Sequence, residues 1–225
     1  MAGRLVVVSG TGTGIGKTHF AEALLRALAP GGRRVLGVKP IESGVTDPAT
    51  SDAGRLDAAS SFHVKHFGHA LSEPVSPHLA ARNAGIGLVL DPLAAAIADL
   101  RPLVDVLLVE LPGGLFTPLT ERVLNADLAA RLAPDLLLLV APDRLGVLHD
   151  TMAACRAAAA IPLRIDGLVL VAPAEPDPST STNAAELALF ALPPVWATLP
   201  RGPAPALALT QAMALIAGRI LPTRR

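Results

Sequence analysis

Leu5-Val-Val-Val-Ser-Gly10-Thr-Gly-Thr-Gly-Ile-Gly16-Lys17-Thr18 decides how the rest of the chain is read. A short apolar run ends in glycines, and a Lys-Thr pair opens the Ala/Leu-rich stretch Lys17–Ala29. That order is strand, turn, helix. The run is continuous rather than alternating, as expected of a parallel strand covered on both faces. Glycines at such a turn let successive backbone N–H groups converge on an anion at the helix N-terminus. Lys17 then reaches toward the outer phosphates of a nucleotide, and the Thr18 hydroxyl toward Mg2+. The dinucleotide pattern G-x-G-x-x-G fails, because its third glycine falls on Ile15 or Lys17. The strict phosphate-loop pattern asks for glycine where this chain has Thr11, with Gly10 one place too early. The loop is a variant, still suited to phosphate.

Outward from this loop the same alternation recurs. Leu5–Ser9, Val35–Lys39, Val104–Glu110, Leu136–Ala141, Leu168–Val171 and Val195–Thr198 read as buried strands. Lys17–Ala29, Ala126–Leu132, Val147–Ala160, Asn183–Phe190 and Ala206–Arg219 have helical composition. The expectation is an α/β fold of P-loop NTPase type: a mostly parallel, doubly wound sheet with helices on both faces, residues 1–225 forming one domain. Ligands then lie at the C-terminal ends of the strands. Thr46 to Leu100, with Pro48, Pro74, Pro77 and Pro92, reads as the least regular region. A long connection of that kind is usually functional.

Composition narrows the class. Of 225 residues, 51% are apolar and 17% charged, and Lys+Arg and Asp+Glu stand at 19 each. Net neutrality argues against a nucleic-acid or anionic-membrane partner, each of which needs a basic face. Cys155 is the single cysteine, which excludes an internal disulfide and fits a reducing compartment. No targeting segment is apparent, so a cytoplasmic location is expected.

Five further patches follow the loop in order: Lys39-Pro-Ile-Glu-Ser-Gly44, Ser51-Asp52, Glu73-Pro-Val-Ser-Pro-His78, Glu110-Leu-Pro-Gly-Gly114 and Leu145-Gly-Val-Leu-His149. Taken with Gly10–Thr18, their order and spacing resemble the dethiobiotin synthetase family. That family carries G-T-x-T-x-x-G-K-T, K-P-x-x-S-G, S-D, E-P-x-S-P-H, V-E-G-A-G-G and L-G-x-x-N-H. The resemblance runs from about Leu5 to Pro200. It implies an ATP- and Mg2+-dependent ligase that joins 7,8-diaminopelargonate and CO2 into dethiobiotin, releasing ADP and phosphate, and acting as a homodimer. It implies Lys39 and Lys17 as catalytic residues. Thr18, Asp52 and Glu110 are implied metal ligands, and Thr11, Ser43, Gly113, Gly114 and His149 substrate contacts. Gly14, Ile15, Gly16, Lys17, Thr18, His19, Asp52, Glu110, Pro200, Arg201 and Gly202 are the implied nucleotide contacts.

On the residues themselves, Lys17 and Lys39 are expected at the ends of two neighbouring parallel strands. Thr18, Asp52 and Glu110 offer hard oxygen donors suited to Mg2+. An acid such as Glu110, closing an apolar strand, is costly to bury unless a cation pairs it. Asp52 also has a plainer reading, as the cap of a helix over Asp52-Ala-Gly-Arg-Leu. The chain departs from the family at Leu111-Pro112 in place of G-A, at His149 in place of Asn, and at Val171-Ala172, where many members carry Asn-Asp. Two other readings stay open: a related protein that keeps the nucleotide site with a changed or lost substrate, and a partition-type ATPase switch. The switch would carry a further lysine at position 12, which is Gly12. His63, His66 and His69 read as solvated or packing residues rather than a zinc site, and Cys155 and Trp196 as core.

Overall fold

The computed structural model describes residues 2–65, 67–200 and 206–221. His66, Arg201 and Gly202 lie outside them. In chain order the elements are β1 (Arg4–Gly10), α1 (Lys17–Leu28), β2 (Val35–Val38), β3 (Ile41–Ser43), α2 (Asp52–Ala59), β4 (His69–Leu71), α3 (Pro77–Asn83) and α4 (Leu90–Leu100). They continue as β5 (Val106–Glu110), α5 (Asn125–Leu132), β6 (Leu136–Pro142), α6 (Val147–Ala159), β7 (Gly167–Val171), α7 (Asn183–Leu187), β8 (Val195–Leu199) and α8 (Ala206–Ile220). The main sheet is parallel throughout, in the order β2-β5-β1-β6-β7-β8. The α/β doubly wound expectation is met.

Strand side chains point alternately to the two faces, so each strand feeds two cores. Leu5, Val7, Leu107, Val109, Leu137 and Leu139 enter one layer, covered by Ile97, Leu128 and Ala158 of α4, α5 and α6. Val6, Val8, Val106, Leu108, Leu138 and Val140 enter the other, covered by α1, α2 and α8. On α1 the buried set Phe20, Ala21, Leu24, Leu25 and Leu28 forms one helical stripe. Trp196 packs against this second layer as expected. Cys155 is buried, and burial pushes its thiol up to about 11, leaving it unreactive.

Two expectations need correction. β1 and β2 are not neighbours, because β5 lies between them. Lys17 and Lys39 therefore flank the strand that carries Glu110. Parallel strands are joined by crossovers, so sequential strands need not pair. The stretch from Thr46 to Leu100 is also more regular than its prolines suggest. It holds α2, α3, α4 and β4, the last pairing with β3 in a separate two-stranded sheet. Pro77 opens α3 and Pro92 sits in the first turn of α4, where a missing N–H is tolerated.

Register sets the site. Val38 pairs with Val109, so Lys39 falls beside Glu110. The exposed edge of β2 is closed by the residues that follow α2. Ser61 and Ser60 hydroxyls accept the Val35 and Gly37 N–H groups, both at 2.9 Å. This ties α2, and with it Asp52, to the strand that ends at Lys39. A Cβ on Gly37 would lie 2.5 Å from Leu25 Cδ1 and 3.3 Å from Leu56 Cβ, between α1 and α2. Gly37→Val is expected to cost about 1–3 kcal/mol in chemical denaturation. Gly87→Ala, with no neighbour within 4 Å, should stay within about 0.5 kcal/mol. Equal midpoints for the two variants would contradict this packing.

Candidate active site

The phosphate loop is shaped by its glycines. Gly14 and Gly16 take φ of 69° and 100°, the left-handed region open to glycine. A Cβ on Gly16 would also meet Val171 Cγ1 at 2.7 Å. Gly16 caps α1 without any side-chain hydrogen bond, and no acid sits in the first turn. The first N–H groups and the positive end of the helix are thus left for an anion. Lys17 Nζ curls back to donate to the Gly12 carbonyl at 2.7 Å.

Glu110 is fully buried at the end of β5. Its Oε1 accepts from Lys39 Nζ at 2.8 Å and from Thr18 Oγ1 at 2.9 Å. Lys39 Nζ also donates to Asp52 Oδ2 at 2.5 Å. Burial weakens the charge on Lys39, but Glu110 and Asp52 outweigh it and raise its pKa above the ordinary lysine value. Burial likewise works against the Asp52 carboxylate, yet Lys39 holds its pKa below the usual range. For Lys17 burial wins over the attraction of Glu110, and its pKa falls to about 8. Asp52 is not the helix cap: Ser51 caps α2, and the Glu42 carboxylate takes the Asp52 and Ala53 N–H groups at 2.7 and 2.9 Å.

Among the described residues, Glu110 Oε2 is buried with no hydrogen-bond partner. A carboxylate oxygen in that state, close to the Thr18 hydroxyl and Asp52, fits a hard divalent cation whose shell is completed by phosphate oxygens. The residues present fit Mg2+.

Two clefts share the wall of the loop. One, of about 300 Å³, is lined by Thr13, Gly14, Gly16, Lys17, Thr18, His19, Lys39, Asp52, Arg55, Glu110 and Gly113. His19 Nε2 is buried there without a partner among the described residues. The other, of about 560 Å³, is lined by Thr11, Thr13, Gly114, Phe116, His149 and Asp150 among others. Ile15 lines neither; its side chain lies over Gly10. Ser43 ends β3 with a buried hydroxyl that has no partner among the described residues, and Pro200 follows β8; neither lines these two clefts. His63 pairs with Asp57 at 3.0 Å and His69 lies in β4.

Sequence reasoning passed over several residues that build this geometry. Asn125, fully buried, donates to the carbonyls of Pro112 and, at 2.8 Å, Gly114. A Cβ on Gly68 would meet Pro40 O at 2.7 Å, beneath the turn that carries Lys39. Glu42 stands inside the quoted Lys39–Gly44 patch, and its acid was the signal available. The Leu111 side chain is buried in the core rather than turned toward the ligand face.

Fold and site together define a P-loop nucleoside-triphosphate enzyme. MinD from Pyrococcus horikoshii, solved as a complex with Mg-ADP, shares the fold with TM-score 0.58 at 19% identity, covering 100% of this chain and 90% of its own. The family described as an AAA domain matches residues 4–205. The chain is 36% identical to the ATP-dependent dethiobiotin synthetase BioD of Ralstonia nicotianae, over 88% of this chain and 89% of the relative. It is 37% identical to that of Anaeromyxobacter dehalogenans, over 89% and 91%. The chain belongs to the ATP-dependent dethiobiotin synthetase family.

Two outcomes follow from the electrostatics. In the free protein Lys17 loses its proton as pH rises through about 8, and a bound phosphate favours the charged form. ADP binding one pH unit above that value should take up a proton, and affinity should weaken as pH rises further. Calorimetry in two buffers of different ionisation enthalpy checks this; identical enthalpies there would exclude it. Lys39→Met strands the Glu110 charge and is expected to cost about 3–5 kcal/mol of stability. Adding Glu110→Gln should recover most of the stability and none of the activity.

Proposed function

We propose that this chain converts 7,8-diaminopelargonate, CO2 and ATP into dethiobiotin, ADP and phosphate. It would do so as a cytoplasmic homodimer working with Mg2+, each chain a single domain over residues 1–225. The observation that carries the reading is the pair of clefts sharing the loop as a common wall, with Lys39 and Glu110 in the phosphate cleft. A ligase of this kind must bring a triphosphate and a second substrate to one phosphorus atom. Among the described residues no helix is long and apolar enough to cross a membrane.

In this reading CO2 adds to one substrate amine, which loses a proton, to give a carbamate. A carbamate oxygen attacks the γ-phosphorus and ADP leaves. The second amine then attacks the carbamoyl carbon and gives up one proton to the departing phosphate or to solvent, closing the ureido ring as phosphate leaves with the bond electrons. Thr11, Ser43, Gly113, Gly114 and His149 are assigned to the diamine. Gly14, Ile15, Gly16, Lys17, Thr18, His19 and Pro200 are assigned to the nucleotide, together with Arg201 and Gly202 outside the described residues. Lys39, held charged by its two carboxylates, acts as a fixed cation for carbamate and transferring phosphoryl group rather than as a base. Lys17 regains full charge once a phosphate lies beside it. Thr18, Asp52 and Glu110 would hold Mg2+, which supplies charge neutralisation at the phosphate oxygens when bound.

ADP release is expected only with diamine and bicarbonate both present, and Lys39→Ala should abolish it. Restored growth without biotin in a strain lacking the synthetase would agree. Hydrolysis indifferent to the diamine would sink the synthetase reading.

A further inference from the structure

Asp52 is the less protected of the two site carboxylates. Its side chain is 33% exposed, against 0% for Glu110. One of its oxygens, Oδ2, is taken by Lys39. The other, Oδ1, faces Arg55 Nη1 at 3.6 Å, an ionic contact too long for a hydrogen bond. Arg55 follows one turn later on α2 and is gripped from α1. Its Nη2 lies 2.6 Å from Glu22 Oε2, and its Nε lies 3.4 Å from Glu22 Oε1. Glu22 stands four residues after Thr18, on the same helix. A carboxylate–guanidinium–carboxylate chain thus runs from α1 to Asp52, and Arg55 itself lines the phosphate cleft. A guanidinium forked on one carboxylate is planar, permanently charged and restricted in direction.

The proposed reaction makes two demands on Lys39. At rest it holds Asp52, whereas in turnover it faces the reacting anions. Each contact it gives to substrate weakens its hold on Asp52, and a partly exposed carboxylate then needs a second cation to keep its place. We infer that Arg55, steered by Glu22, is a positioning residue that holds Asp52 at the divalent-cation site while Lys39 serves the substrate. The inference rests on the reading of Asp52 as a metal ligand given above. Neither position 22 nor position 55 belongs to the phosphate-loop pattern; the device is built from the contact between α1 and α2.

The test uses Mn2+ as a paramagnetic probe, titrated into the full-length protein with ADP bound and followed by electron paramagnetic resonance. Wild type is compared with Arg55→Ala, Arg55→Lys, Glu22→Gln and Asp52→Asn. ADP affinity in metal-free buffer and thermal midpoints are measured alongside. Arg55→Ala is expected to weaken Mn2+ about tenfold, the usual scale for partners that orient metal-binding carboxylates. Glu22→Gln should weaken it in the same direction by less, and Arg55→Lys should fall between wild type and Arg55→Ala. Metal-free ADP affinity should fall by much less than Mn2+ affinity, through the screened loss of one charge at the cleft wall. Unchanged Mn2+ affinity in Arg55→Ala overturns the inference. So does a loss confined to metal-free ADP affinity, which would make Arg55 a direct phosphate contact. Asp52→Asn separates the two readings: if it leaves Mn2+ affinity intact, both fall. If it weakens Mn2+ while Arg55→Ala does not, only the role of Arg55 falls.

Discussion

A carboxylate sealed inside a protein needs a cation, and the fully buried Glu110 organises this molecule around that need. The cation is Lys39, so the strand that ends at Lys39 must run beside β5, in the register that pairs Val38 with Val109. Having β5 between β1 and β2 places the acid between two lysines rather than at the rim of the sheet. The same carboxylate bonds the Thr18 hydroxyl and so couples the phosphate loop to the sheet edge. Its second oxygen has no partner among the described residues, although burial makes that costly. A site of this kind keeps an unmet interaction for a ligand rather than spending it on the fold.

The pair also explains how a chain with no net charge handles a polyanion. Lys17, Lys39 and Arg55 stand with Asp52 and Glu110 in one cleft, so the cations there outnumber the carboxylates by one although the chain as a whole is neutral. What differs is the state of each group. The two acids hold Lys39 charged, whereas burial dominates at Lys17 and lowers its pKa. One lysine is fixed in advance and the other is completed by its ligand.

Much of this was legible because burial on both faces leaves strands as apolar runs, so a charged residue at a run's end stands out. Lys39 and Glu110 were found that way, and the Gly10–Thr18 loop by its spacing. Strand order was not legible, since nothing in β1 or β2 records that β5 intervenes. The short elements between residues 46 and 100 were hidden by prolines that occupy first helical turns, where proline is tolerated. Asn125, Gly68 and the Glu22–Arg55 pair escaped because each acts on groups distant in sequence. Asn125 holds the carbonyls of residues 112 and 114, and Gly68 lies under residues 39 and 40. Such roles exist only once the chain is folded.

The departure at Leu111-Pro112 has a physical resolution that bears on how the site tolerates change. Leu111 turns into the core, and its N–H still bonds Val8 O at 2.9 Å. Proline has no N–H to offer a ligand, but its carbonyl is held by Asn125, and Thr117 Oγ1 accepts the Gly114 N–H at 2.8 Å. The turn is therefore anchored by the buried Asn125 and by Thr117, which itself lines the second cleft, and Gly113 and Gly114 stand at the two ligand walls. A sheet shared with MinD says nothing about which reaction those walls serve. Gly12 has no side chain to send across to another subunit, and its carbonyl holds Lys17 within its own chain. Gly12 and Gly114 stand together in the wall of the second cleft. What those walls bind is set by the residues that face them, not by the fold that carries them.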